Sequence, residues 1–278
     1  MSAHTPSAYK GFDLESGDRI LFFLKAAIVA LVFLTFGVGA TALLASAACA
    51  AMAFEWFRMT TGGRDFDEPL VGVVLAAGAL PPFFTFAVGG GGGAAIAFLG
   101  AGFLLIMGPK ENGLLVRTAL GLVVIGVAGV CFVWLRSHPE HGLALTAWLL
   151  FVVGATELGS GIAARRAASD AEPATDDGRV PSREQTLGLI AGIVGGFVVF
   201  AFYRDGNALW VVLASLILAG VVLLAGLVTR VVRQSVDATA GKALFPGRGT
   251  VVENFDGLVW ASIAAGLSMM CVGVLFNW

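Results

Sequence analysis

The sequence predicts an all-α, polytopic integral membrane protein built as one domain over residues 1–278. Two observations carry this. The chain is 58% hydrophobic and only 13% charged, against about 25% charged residues in a soluble domain. Its apolar residues fall in repeated runs near the length of about 20 residues that a helix needs to cross a bilayer. Polar or charged stretches separate these runs.

The first 18 residues are polar and mildly acidic, without the basic, apolar, small-residue order of a cleaved signal peptide. The first span is therefore expected to stay as an anchor. The apolar run from Ile20 to Phe54 is too long for one helix, and Gly37 and Gly39 offer a tight break. Spans are expected over roughly 20–36, 39–56, 69–87, 93–108, 114–135, 143–164, 186–203, 208–229 and 257–276, nine in all. Pro81-Pro82 is expected to interrupt the third span, and the run Gly89 to Gly93 to be too flexible for helix interior. Segments 165–185 and 230–256 are expected to be cytoplasmic loops.

Lysine and arginine set the orientation. With the N-terminus in the cytoplasm, that side holds Lys10, Arg19, Arg58, Arg64, Lys110, Arg165, Arg166, Arg179, Arg183, Arg230, Arg233, Lys242 and Arg248. The other side holds only Arg136 and Arg204, while Lys25 and Arg117 lie in spans near the inner ends, where they can snorkel. Trp134, Trp148, Trp210, Trp260 and Trp278 sit near span ends and read as interface anchors. Cys49, Cys131 and Cys271 lie within apolar runs and read as small hydrophobes. His138 and His141 have no third ligand nearby. Net charge is −2, and no nucleic-acid partner is expected.

Polar residues that remain in or against a membrane segment are costly and mark function by default. Glu157 lies inside the sixth span, roughly two turns short of its cytoplasmic end. It can serve a metal or substrate, or pair with an arginine. Glu253 and Asp256 are three apart and share a face if the ninth helix begins near them. With Glu157 and Asp237 they offer hard oxygen ligands of the kind Mg²⁺ takes beside phosphate, and Asp256 can equally cap the last helix. Gly247 and Gly249 permit a turn that bares backbone N–H groups to a phosphate, or a plain turn. Glu55 reads best as an interface partner of Arg58.

These stretches carry a resemblance. Pro246-Gly247-Arg248-Gly249-Thr250 with Glu253, Asn254 and Asp256 resembles the C-terminal signature of the bacterial phosphatidate cytidylyltransferases, P-G-H-G-G-x-x-D-R-x-D. Glu55-Trp56 resembles the Glu-Trp that ends the family's second helix. Ala155-Thr156-Glu157-Leu158-Gly159 through Arg165-Arg166 resembles its A-D-x-G-A-Y…G-R-R segment, and Pro181-Ser182-Arg183-Glu184 stands where its S-P-x-K-T-x-E-G loop belongs. The resemblance implies transfer of a cytidylyl group from CTP to phosphatidic acid, with release of pyrophosphate and Mg²⁺ as cofactor. It implies catalytic roles for Asp256, Glu253 and Asp237. Metal ligation falls to Glu157, Asp237, Glu253 and Asp256. The nucleotide falls to Gly247, Arg248, Gly249, Arg183 and Arg165. It further implies a lipid phosphate entering from the inner leaflet of a bacterial cytoplasmic membrane, in a homodimer or a larger membrane complex.

The departures are specific. Glutamate replaces aspartate at 157 and 253, Val236 replaces the lysine before Asp237, and Asn254 replaces the arginine after Glu253. Acids are kept and cations lost, although phosphoryl-type transfer relies on cations for charge stabilisation. Two readings stay open: a transferase in which Arg248, Arg183 or Arg233 substitutes, and an inactive relative serving as a membrane scaffold or accessory subunit. A transporter is the weaker reading, because the acids cluster on one side and no inverted repeat is visible.

Overall fold

The computed structural model describes residues 28–61, 68–107, 114–170, 182–203, 208–235 and 251–272. The described residues are all-helical, in the order α1 (28–35), α2 (Val38–Thr60), α3 (Glu68–Val88), α4 (Gly90–Met107), α5 (Leu114–Arg136), α6 (Gly142–Asp170), α7 (Ser182–Tyr203), α8 (Ala208–Ser235) and α9 (Val251–Val272). Seven of them, α2 to α8, are long and apolar enough to cross a membrane. The chain is an integral membrane protein. In α9 the apolar stretch is shorter, Phe255–Met269.

Two glycines with positive φ punctuate the chain. Gly37 (φ 100°) separates α1 from α2, and Gly89 (φ 95°) separates α3 from α4. A side chain would be strained at either place. The break expected across Gly89 to Gly93 is thus confined to Gly89, and the remaining glycines open α4. Nor do Pro81 and Pro82 interrupt α3, which runs through both. Their rings fit notches in α5: a β-carbon on Gly129 would lie 2.6 Å from Pro82 Cγ, and one on Gly126 would lie 3.3 Å from Pro81 Cγ. Packing against a neighbour lets a transmembrane helix tolerate proline.

The helices form two groups. One is α2, α3, α4 and α5, and the other is α6, α7 and α8; α9 touches α8, α5, α6 and α2 and joins them. The core follows this plan. One cluster spans both groups through Leu34, Phe132, Val133, Trp148, Leu149, Val152, Leu218, Val222, Ala261 and Ala265. A second lies within the first group, around Phe57, Val74, Leu104 and Leu122. A third, with Cys49, Met52, Ile125, Ala128 and Val259, seats α9 against α2 and α5. Among the seven spans α5 is the most enclosed, while α4 and α7 lie at the periphery. Lipid tails are as apolar as leucine, so close packing rather than hydrophobic burial holds such helices together. The α6–α7 seam is of this kind, since a β-carbon on Gly195 would lie 2.6 Å from the Phe151 carbonyl oxygen.

Polar bonds fix the helix ends. At one end, Trp56 Nε1 donates to the Arg117 carbonyl (3.3 Å), and the Thr60 and Thr118 hydroxyls are 2.7 Å apart. At the other, Arg136 Nε and Nη2 donate to the Leu34 carbonyl at 3.3 and 2.9 Å, a carbonyl in the last turn of α1.

Four helix boundaries depart from expectation. α6 continues to Asp170 and α7 begins at Ser182, which shortens the expected 165–185 loop. The Ala163-Ala164-Arg165-Arg166-Ala167-Ala168 run is rich in good helix formers, which accounts for the extension. α8 runs to Ser235 and α9 begins at Val251, so the 230–256 loop is shortened from both sides. Trp148 is no interface anchor. It is 2% exposed and donates from Nε1 to Ser215 Oγ at 3.0 Å, inside the bundle.

Candidate functional site

The site is built where α6 meets the first two turns of α9. Glu157 lies six residues before the end of the apolar Gly142–Ala163 stretch, about 9 Å along the axis. Its side chain is partly exposed and points at α9. A β-carbon placed on Gly257 would lie 2.8 Å from Glu157 Oε1 and 3.0 Å from Val222 Cγ1. The bare Cα of Gly257 makes room for that carboxylate. On one side of Glu157, Gly154 and Gly161 lie three residues before and four after it, and a β-carbon on either would meet nothing within 4 Å. Nothing packs over α6 at these two positions on either side of the acid. The Ser160 hydroxyl donates to the Glu157 carbonyl at 3.1 Å, which ties that side chain to its own helix.

Asp256 directly precedes the glycine that Glu157 touches. It is partly buried, and its Oδ1 accepts the Gly257 N–H at 2.7 Å. Because α9 starts at Val251, Asp256 stands in the second turn and is not the helix cap. The helical backbone puts Glu253 and Asp256 one turn apart, next to the positive end of the α9 dipole, where acids are favoured. The structure thus brings Glu157 from α6 to the part of α9 that carries two acids of the expected set.

Asp237, Gly247, Arg248 and Gly249 lie outside the described residues. Arg165 and Arg183 are placed only as backbone positions, at the end of α6 and the start of α7. Among the described residues no three His, Cys, Asp or Glu side chains gather as a metal site. Glu55 is 2% exposed, packed within the bundle. The Arg58 guanidinium sits 5.8 Å from the centre of the Phe54 ring.

Gly257 escaped the sequence reading. The available signal was a glycine directly after an acid, just inside an apolar run: interior helical glycine is disfavoured unless something approaches closely. A cavity beside the site was equally invisible. It has a volume of about 440 Å³ and is walled by α1, α2, α5, α6 and α9, among them Phe255, Leu258 and Val259.

No protein-family model matches the chain, and no curated protein matches it.

Proposed function

We propose that the chain is a cytidylyltransferase that joins CTP to a lipid phosphate, giving a CDP-lipid and pyrophosphate. The observation that carries this reading is the Glu157 carboxylate seated against Gly257, beside Asp256 and one turn from Glu253. The acid of α6 thus meets α9 at the residue that follows Asp256, although the two helices are far apart in sequence.

The residues fit a magnesium ion in kind. Mg²⁺ takes one or two carboxylates and completes its shell with water and substrate phosphate, and Glu157 and Asp256 supply two such groups. When bound, the ion would neutralise phosphate charge as it builds up in the transfer. The chain's own part is positioning. Gly257 holds Glu157 at one distance from α9, and the bond from its N–H fixes one oxygen of Asp256. Asp237 and Glu253 complete the acid set under this reading, with phosphate contacts from Gly247, Arg248, Gly249, Arg183 and Arg165. Attack comes from the lipid phosphate on the α-phosphorus of CTP, so no protein nucleophile is needed. The reading includes nine spans, a cytoplasmic N-terminus and a bacterial inner-membrane location. The arginine-rich ends of α6 and α8 then face the CTP pool.

The test is CTP-to-lipid transfer by purified protein with phosphatidic acid, Mg²⁺ and labelled CTP. Incorporation that disappears in Asp256→Ala is the expected result. No incorporation beside an active cytidylyltransferase run in parallel would overturn phosphatidate as acceptor. The loss of the lysine before Asp237 and of the arginine after Glu253 favours a second reading, an inactive relative that acts as a scaffold or accessory subunit. Failure with other lipid phosphates as well would leave that one standing.

A further inference from the structure

Threonine hydroxyls buried in these helices follow one habit. Thr41, Thr85, Thr146 and Thr156 each donate to the carbonyl four residues earlier, at 3.0, 2.9, 2.6 and 2.7 Å. Ser46 on α2 departs from it. Ser46 is 9% exposed, and its Oγ is the one buried side-chain polar atom among the described residues without a hydrogen-bond partner. An orphaned polar group is costly where no bulk water reaches it.

The register of α2 against α3 shows what Ser46 faces. A β-carbon on Gly39 would lie 3.5 Å from the Phe86 ring, and one on Gly78 would lie 2.8 Å from Ala53 Cβ. The two helices therefore run antiparallel, with 39 level with 86 and 53 level with 78. Ser46 is seven residues from both Gly39 and Ala53. Seven residues make close to two turns, so these three share the α3-facing side of α2. Pro82 is four residues from both Gly78 and Phe86, so those three share the α2-facing side of α3. Ser46 thus stands opposite Pro82.

Pro82 leaves α3 with an acceptor to spare. A helical carbonyl accepts the N–H four residues on, and proline has none. Because α3 runs unbroken through Pro82, the Gly78 carbonyl loses its helical partner there. That carbonyl points along the axis to the level of Pro82, and so to the level of Ser46. A donor on α2 and an acceptor on α3 face each other across the seam, and they are not bonded directly.

We propose that one water molecule is bound between α2 and α3, accepting from Ser46 Oγ and donating to the Gly78 carbonyl. The Ala42 carbonyl, four residues before Ser46, has a second lone pair for the water's other proton. That gives the three bonds a buried water typically makes. The Pro82 ring is directed at the notch in α5, where its Cγ would lie 2.6 Å from a β-carbon on Gly129. The water is a structural ligand: it lets α3 carry Pro82 in mid-membrane without stranding a polar group on either side of the seam.

The test is a crystal structure of the full-length protein grown in a lipid phase, at a resolution that shows ordered waters. One water within about 2.5–3.0 Å of both Ser46 Oγ and the Gly78 carbonyl oxygen is expected, and it should vanish in Ser46→Ala. A direct bond from Ser46 to the Gly78 or Ala42 carbonyl, with no water there, would overturn the inference. A double-mutant cycle on unfolding gives a second readout. Pro82→Ala returns an N–H to the Gly78 carbonyl. Ser46→Ala should raise the unfolding equilibrium constant about threefold in the native background, the size of an average hydrogen bond between membrane helices. Beside Pro82→Ala its effect should shrink. Equal effects in the two backgrounds would also overturn the bridge.

Discussion

The carboxylate of Glu157 occupies the space that a side chain at position 257 would need, with Oε1 only 2.8 Å from where a β-carbon on Gly257 would stand. Two residues that lie far apart in the chain, on α6 and α9, are thereby set at one spacing by the absence of a methyl group.

A β-carbon at Gly257→Ala would press on the flexible end of Glu157 at 2.8 Å and on Val222 Cγ1 at 3.0 Å, and the Glu157 side chain is the one that gives way more easily. The carboxylate must move, and a displacement near 1 Å at a reacting centre can cost about 100-fold in rate. Under the proposed transferase function, labelled-CTP incorporation should fall by about that factor. Adding Glu157→Asp, one methylene shorter, should return part of the loss. Full activity in Gly257→Ala would show that Glu157 takes no part in the site.

The α6–α7 seam should respond differently. At Gly195 the added β-carbon meets the Phe151 carbonyl oxygen at 2.6 Å, and backbone cannot swing aside. Gly195→Ala should destabilise by about 1–3 kcal/mol, as overpacking does. A lowered midpoint in a detergent thermal melt is the readout; an unchanged midpoint would mean that the helices are less closely packed than described here.

At Gly37 the cause is the backbone alone. A β-carbon there meets nothing within 4 Å, yet φ is 100°. Gly37→Ala should cost about 1–2 kcal/mol from left-handed geometry. No neighbouring substitution should relieve it, whereas Gly195→Ala should be partly relieved by trimming the α6–α7 seam.

The Trp148–Ser215 bond can be weighed by a double-mutant cycle. Trp148→Phe and Ser215→Ala each remove one partner of the 3.0 Å bond. Their coupling should be about 0.5–1.5 kcal/mol, near the low end because membrane hydrogen bonds average about 0.6 kcal/mol. Additive effects on unfolding would mean that the two groups do not interact in the membrane.

The helical order was legible because membrane spans are written in composition: the seven apolar runs of α2 to α8 became helices close to where they were expected. What composition does not carry is what one helix finds on its neighbour. Pro81 and Pro82 read as a break because the sequence does not reveal that Gly126 and Gly129 wait opposite them on α5. Trp148 read as an interface anchor because its distance from the span end was visible, while Ser215 across the bundle was not. The site divides along the same line. Glu157 was conspicuous as an acid in an apolar helix, and Asp256 as an acid entering one, since both violate local preference. The packing of Glu157 against Gly257 is a property of helix–helix contact, which depends on residues far apart in the chain. The cavity has no local signature, because its small residues, such as Ala45 and Ala48, are those that membrane helices use anywhere.

The position of α9 bears on how the protein is made. Translation delivers helices in order, and α2 to α5 contain the partners of their own group. α9 comes after all the other helices described, yet it forms a wall of the cavity and a side of the acid site. Until it inserts, the nascent protein lacks one wall of the cavity and the glycine against which Glu157 packs. Biogenesis thus contains a built-in delay between the making of Glu157 and the packing that seats it.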